Sequence, residues 1–182
     1  MKLIRAKSSD FIIFTAIILL LSSCKPKDNT ALNAGIIEGE VVKVVDGDTY
    51  DLQTTNQTIR VKMEGIDAPE KGMRFYKESK KYLHDLCFGH MVAFKPNGIS
   101  KFNKQIGFTY LSGGLELSHE MVRAGYAWHF KKYNSDSNIF KLELQARMAK
   151  RGIWADSNPI SPRIVRRMRK TPGINSHTMS QS

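Results

Sequence analysis

Two short acidic stretches carry the residues best suited to chemistry. Asp46, Gly47, Asp48 and Thr49 form the first; Asp67, Ala68, Pro69 and Glu70 form the second. Each follows an apolar, strand-like run, Val44-Val45 in one case and Gly65-Ile66 in the other. Carboxylates gathered in one place raise one another's pKa, so a fold holds such a group most easily around a cation. Carboxylate and carbonyl oxygens suit hard ions, calcium or magnesium, and neither stretch contains a His or Cys for zinc. Taken singly, both are also ordinary turn chemistry: Asp-Gly belongs in hairpins and Pro-Glu commonly opens a helix. Together, in a chain with 28 Lys and Arg against 17 Asp and Glu, they point to a metal site.

The elements that must position these residues are legible from periodicity. Residues 35–45 read as a strand, with Asp46-Gly47-Asp48 as the turn out of it. Residues 49–53 and 58–65 read as two more strands around the polar turn 54–57. In the latter, Ile59, Val61 and Met63 share one face and Arg60, Lys62 and Glu64 the other, which sets two cations beside the carboxylates. Pro69 and Glu70 lead into a helix over about 73–88, stopped by Gly89. A strand over 90–94, a loop over 95–103 containing Pro96, Asn97 and Gly98, and a strand over 104–111 follow. Helices are predicted over 117–124 and 139–150, ended by Gly125 and by Arg151-Gly152. Five short antiparallel strands with three helices define an α+β fold, a five-stranded OB-type β-barrel. Barrels of this type often bind single-stranded nucleic acid.

The ends of the chain read differently. Lys2, Arg5 and Lys7 precede an apolar run over 11–21 broken only by Thr15, too short to span a bilayer comfortably and suited to a signal peptide over 1–23. Leu21-Ser22-Ser23-Cys24 resembles the lipobox of bacterial lipoproteins, which implies lipidation of Cys24 and a membrane anchor in the bacterial cell envelope. Residues 24–34 then form a polar tether, and 35–162 the folded domain. Losing Lys2, Arg5, Lys7 and Asp10 with the leader removes +2 of the +11 formal charge and leaves +9. That balance suits a polyanionic partner. Cys87 is the only other cysteine, so no intramolecular disulfide is available to a lipidated chain; its helical setting marks it as a buried apolar residue. Residues 163–182 are expected to be a basic tail without regular structure, its cations a solvated run or, as the alternative, a phosphate-binding extension.

Val45-Asp46-Gly47-Asp48-Thr49, Gly65-Ile66-Asp67-Ala68-Pro69-Glu70, Gly125-Tyr126-Ala127 and Arg151-Gly152-Ile153-Trp154 occur in an order and spacing that resemble the thermonuclease, or staphylococcal nuclease-like, family. The resemblance covers about 35–162. It implies a monomeric, calcium-dependent endonuclease that hydrolyses DNA and RNA with little sequence specificity. Asp48 and Asp67 would hold the metal through carboxylates and Thr49 through its backbone carbonyl, with Asp46 standing behind them. Glu70 would act as general base or orient the attacking water. Tyr133, with Phe130 as a second candidate, would stack on a base.

Two departures bear on rate. Lys62 and Lys104 stand where the family carries arginines, and 100–104 has drifted from the family pattern. Lysine keeps the charge and loses the planar fork that grips two phosphate oxygens. Losing one such donor commonly costs about 10²–10³ in rate. Arg60 and Lys101 are the nearby candidates to compensate. A competing function follows: a nucleic-acid-binding OB module with weak or no hydrolysis. A third is a lipoprotein scaffold for a protein partner. The complete acidic set ranks the nuclease first, because a chain that has abandoned hydrolysis gains nothing from a costly carboxylate cluster. His119 and His129 are expected at the surface or in satisfied positions rather than as ligands.

Overall fold

β1 (Ile37–Val44) carries a bulge between Val41 and Lys43 where it pairs with β2 (Thr49–Gln53). The extra residue resets the alternation, so Val41 and Val44 both face inward. β2 continues antiparallel into β3 (Thr58–Met63) with Thr49 opposite Lys62 and Asp51 opposite Arg60. β5 (Met91–Ile99) and β6 (Gln105–Tyr110) complete a closed barrel in the order β1-β2-β3-β6-β5, the ring closing between β5 and β1. The computed structural model describes residues 35–100, 102–132 and 136–170. The leader, the tether with Cys24, and residues 171–182 lie outside those.

Closure leaves no free sheet edge and fills the interior with Val41, Tyr50, Leu52, Val61, Met63 and Phe94, all buried. The Tyr50 hydroxyl would be orphaned there; it shares a 2.7 Å hydrogen bond with Thr109 Oγ1. α1 (Tyr76–Cys87) lays Ser79, Leu83 and Cys87 against the barrel, and α2 (Leu117–Arg123) adds Leu117, Met121 and Val122. α3 (Ser137–Met148) starts at Asp136, whose carboxylate accepts from the Asn138 N–H at 2.7 Å. A 3₁₀ turn (Gly152–Ala155) and the short pair β4 (Ile66–Asp67) with β7 (Trp128–His129) build a second apolar cluster of Trp128, Ala146, Ile153 and Trp154. The Arg147 guanidinium lies 3.9 Å from the Trp154 ring centroid and closes it on the solvent side. Every one of these core residues lies beyond Gly35, so the unit Gly35–Ser182 has a core of its own.

The α+β barrel is the expected one, with four corrections. β3 and β6 pair in parallel, not antiparallel. Residues 95–99 continue β5, because a bulge between Pro96 and Gly98 absorbs the proline's missing N–H. The β4–β7 pair is too short to show in periodicity. Finally, 163–170 is not a structureless tail: α4 (Pro162–Lys170) is a fourth helix, docked through the buried Pro162 and Val165.

Candidate active site

The turn Asp46-Gly47-Asp48 is pressed against α1. A Cβ on Gly47 would stand 1.9 Å from Ser79 Oγ and 2.8 Å from Ala68 Cβ, so only glycine lets turn, helix and second acidic stretch approach this closely. Ser79 Oγ is itself fixed by donating to the Tyr126 carbonyl at 2.8 Å. On the other side, β4 pairs Asp67 with Trp128 of β7. The two acidic stretches meet directly: the Ala68 N–H donates to Asp48 Oδ2 at 3.0 Å.

Asp48 is buried and accepts from three donors, the third being a cation: Thr49 Oγ1 at 2.7 Å, the Ala68 N–H, and Lys62 Nζ at 2.6 Å. Burial alone would raise its pKa; the Lys62 ammonium and the neutral donors outweigh it and hold the carboxyl below the usual range. Burial likewise opposes the charge on Lys62, and Asp48 more than restores it, leaving the ammonium pKa raised. Asp46 is pushed up to about 6 by burial and by the neighbouring Asp48 charge, although it accepts from the Asp48 N–H at 3.1 Å.

Asp67 and Glu70 face a cation that sequence reasoning did not assign. Arg166 of α4 places Nη1 3.1 Å from Asp67 Oδ1 and 2.6 Å from Glu70 Oε1, and Nη2 2.6 Å from Asp67 Oδ2. Arg169, one turn further along α4, reaches Glu70 Oε2 and the Lys71 carbonyl, both at 3.3 Å. Burial of Asp67 still raises its pKa against the Arg166 hydrogen bonds. The signal for α4 was faint: Pro162 and Val165 at i, i+3 within a run otherwise dominated by arginine.

Asp48, Asp67 and Glu70 are thus brought to one array, with Lys62 bonded to the first and Arg166 spanning the other two. Thr49 uses both of its oxygens inside this array. Its carbonyl accepts from the Val45 and Asp46 N–H groups, at 2.9 and 3.2 Å, and its hydroxyl donates to Asp48. Lys104 lines a separate cleft with Asp51, Thr58, Arg60 and Phe102, one residue before β6. Arg60 is taken by a bidentate pair with Asp51, at 2.7 and 3.0 Å. Lys101 and Tyr133 lie outside the described residues. His119 pairs with Asp136 at 3.2 Å, and Cys87 is buried with its thiol pushed up to about 12 by burial.

Among the described residues no three His, Cys, Asp or Glu side chains form a ready metal cage; the carboxylates of Asp48 and Asp67 turn to Lys62 and Arg166 instead. The donor set nevertheless fits a hard cation. All of its side-chain atoms are carboxylate oxygens, and positive groups already sit on both aspartates. Beside Asp67 opens a cleft of about 490 Å³, bordered by Phe130, Lys131, Lys132, Arg147 and Arg163.

A small closed barrel carrying buried carboxylates and a basic cleft beside them belongs to a class built to work on polyanions. Comparison with known proteins narrows that. The family described as staphylococcal nuclease homologue matches residues 60–156, a span that includes Asp67 and Glu70 but neither Asp48 nor Arg166. The chain is 35% identical over 130 residues to an uncharacterised endonuclease of Escherichia coli O157:H7, covering 71% of this chain and 85% of that one. It is 34% identical over 163 residues to an uncharacterised endonuclease of Haemophilus influenzae, 87% and 86% of the two chains. It is also 34% identical over 142 residues to a micrococcal nuclease of Shigella flexneri, 72% and 82% of the two. The chain belongs to the staphylococcal nuclease homologue family.

Proposed function

We propose that this protein is a calcium-dependent endonuclease that hydrolyses phosphodiester bonds of DNA and RNA with little sequence specificity. The observation that carries the reading is the convergence of Asp67 and Glu70 on one guanidinium, with Asp48 bonded to the backbone next to Asp67. The names of its relatives, endonuclease and micrococcal nuclease, support the same reaction.

Asp48 and Asp67 would hold the calcium, with Asp46 behind them. Held there, calcium would supply positive charge against the negative charge that develops on the phosphate and would assist ionisation of water. The protein's own groups do the rest. Glu70, less buried than the aspartates, orients a water for in-line attack and takes its proton. As the water oxygen bonds to phosphorus, one P–O ester bond breaks and the leaving sugar oxygen takes up a proton. Lys62 faces the phosphate from β3, and Lys104 and Lys101 contact the strand further along. Tyr133 stacks on a base. The cleft bordered by Lys131, Lys132, Arg147 and Arg163 admits an extended strand by charge rather than by sequence.

Incubating single-stranded DNA and RNA with the Gly35–Ser182 unit, in calcium and in chelator, tests this. Cleavage is expected only with calcium and is expected to be lost in Glu70→Gln. A wild-type rate no higher than Glu70→Gln would leave the second reading, a nucleic-acid-binding module without hydrolysis, which the cations seated on the carboxylates favour.

We also infer from Leu21-Ser22-Ser23-Cys24 that Cys24 is lipidated and that the domain is exported and tethered to the cell envelope as a monomer. Metabolic labelling with a fatty acid should mark the wild type and not Cys24→Ser. Equal labelling of both would remove the anchor.

A further inference from the structure

Members of this family are expected to grip phosphate with arginines at two positions where this chain has Lys62 and Lys104. Of the two nearby substitutes, Lys101 carries no fork and lies outside the described residues. Arg60 is turned to Asp51, whose two carboxylate oxygens take its Nε and Nη2 along one edge of the guanidinium, and Lys104 sits with it in the separate cleft. The guanidinium that does reach the carboxylates comes from the other end of the chain. Pro162 and Val165 are buried and dock α4. Arg166, next to Val165, is 39% exposed and lays its fork across Asp67 and Glu70. Arg169 adds a second tie to Glu70.

We propose that Arg166 is a catalytic, phosphate-binding residue of this chain, which α4 delivers to the Asp67–Glu70 carboxylates so that its fork engages two non-bridging oxygens of the substrate phosphodiester. The proposal rests on the phosphodiesterase reading above. A divalent ion and a guanidinium cannot share the same Asp67 oxygens. Calcium held by Asp67 would release Arg166 from that carboxylate, and the docked helix would keep its fork alongside Asp67 and Glu70. The anion drawn to that place is the scissile phosphate, whose paired oxygens match the fork as the carboxylate did. Arg166 is thereby poised in the resting protein, and the arginine missing from the barrel face is replaced from outside it.

The test compares the full wild-type chain with Arg166→Gln, Arg166→Lys and Lys170→Gln, which removes one charge further along the same helix. Two quantities are read: kcat and KM on single-stranded DNA at saturating calcium, and calcium affinity by calorimetry without nucleic acid. Arg166→Gln is expected to lower kcat by about 10²–10³, Arg166→Lys to recover about tenfold of that loss, and Lys170→Gln to stay within about threefold of wild type. Calcium should bind Arg166→Gln at least as tightly as wild type, because a competing cation has gone. The proposal is overturned if kcat of Arg166→Gln stays within about threefold of wild type. It is also overturned if calcium affinity falls in step with kcat, since Arg166 would then only be bracing the carboxylates. Should Arg166→Gln not fold, Arg166→Lys decides: a lower kcat at unchanged calcium affinity supports the proposal, and an unchanged kcat ends it. A wild type that cuts nothing, with calcium bound, would instead bring down the nuclease reading, and this proposal with it.

Discussion

Replacing Lys62 by Met removes the ammonium from a buried carboxylate while keeping the side chain's length. Asp48 is 6% exposed at its side chain and Lys62 29%, with Nζ and Oδ2 2.6 Å apart. Breaking a fully buried pair by deleting one partner costs about 3–5 kcal/mol. Partial exposure of Lys62, and the two neutral donors that Asp48 keeps from Thr49 and Ala68, bring the expectation to about 2–3 kcal/mol. With a urea slope of about 2 kcal/mol/M, the midpoint of the Gly35–Ser182 unit should fall by about 1–1.5 M at pH 7 in chelator. The pH dependence follows from the direction of the Asp48 shift. Its lowered carboxyl contributes stability above the unfolded pKa of about 3.9, and that contribution is lost as pH falls through the still lower folded value. In Lys62→Met the burial of Asp48 is no longer offset, its folded pKa rises, and protonation relieves the penalty. The deficit should therefore shrink steadily from pH 7 to pH 4. Saturating calcium should shrink it too, since an ion that binds only the folded state stabilises it by about 2.7 kcal/mol at a hundred times its Kd, and the variant has lost the competing ammonium. A midpoint shift below about 0.2 M would refute the reasoning. So would a deficit of the same size at both pH values, which would make Lys62 a packing residue and not a counter-charge.

Three further predictions follow from the same geometry. Gly47→Ala must move Ser79 or the turn, since the new methyl would lie 1.9 Å from Ser79 Oγ; a loss of about 1–3 kcal/mol in urea unfolding is expected, smaller when Ser79 is also Ala, and equal losses in both backgrounds would show that the contact relaxes freely. Asp46→Asn should stabilise the metal-free protein at pH 8: the folded carboxyl at about 6 holds a proton that the unfolded chain releases near 4, so wild-type stability falls as pH rises between those values, by up to about 3 kcal/mol. No difference between variant and wild type at pH 8, or an equal gain at pH 4, would contradict it. Asp136→Ala should cost about 1 kcal/mol at pH 7 by uncapping α3; its carboxyl is lowered, because the Asn138 N–H and His119 outweigh burial, so the cost should vanish as pH falls below about 4, and a cost persisting there would point to lost packing.

The barrel was readable because its strands are short, alternating and separated by polar turns, and because Asp46-Gly47-Asp48 and Asp67 to Glu70 mark the ends of two of them. The extension of β5 through Pro96 was not, since proline and glycine signal a loop and only the partner strand reveals the bulge that accommodates them. The parallel pairing of β3 with β6 is a long-range choice that no local pattern encodes. The same limit hid the role of α4. Arg163, Arg166, Arg167 and Arg169 read as a solvated run, whereas burial of Val165 turns the neighbouring Arg166 onto carboxylates 96 and 99 residues away in sequence. Thr49 is a further case: the hydrogen bonds that its carbonyl accepts from the Val45 and Asp46 N–H groups are set by the turn and not by the residue type.

The proposed hydrolysis requires Asp48 and Asp67 to share one divalent ion. Calorimetric titration of calcium into the Gly35–Ser182 unit and into its Asp48→Asn and Asp67→Asn variants tests that without any substrate. One site is expected in the wild type and none in either variant. A wild type that takes up no calcium, or a variant that binds it as the wild type does, would contradict the shared site.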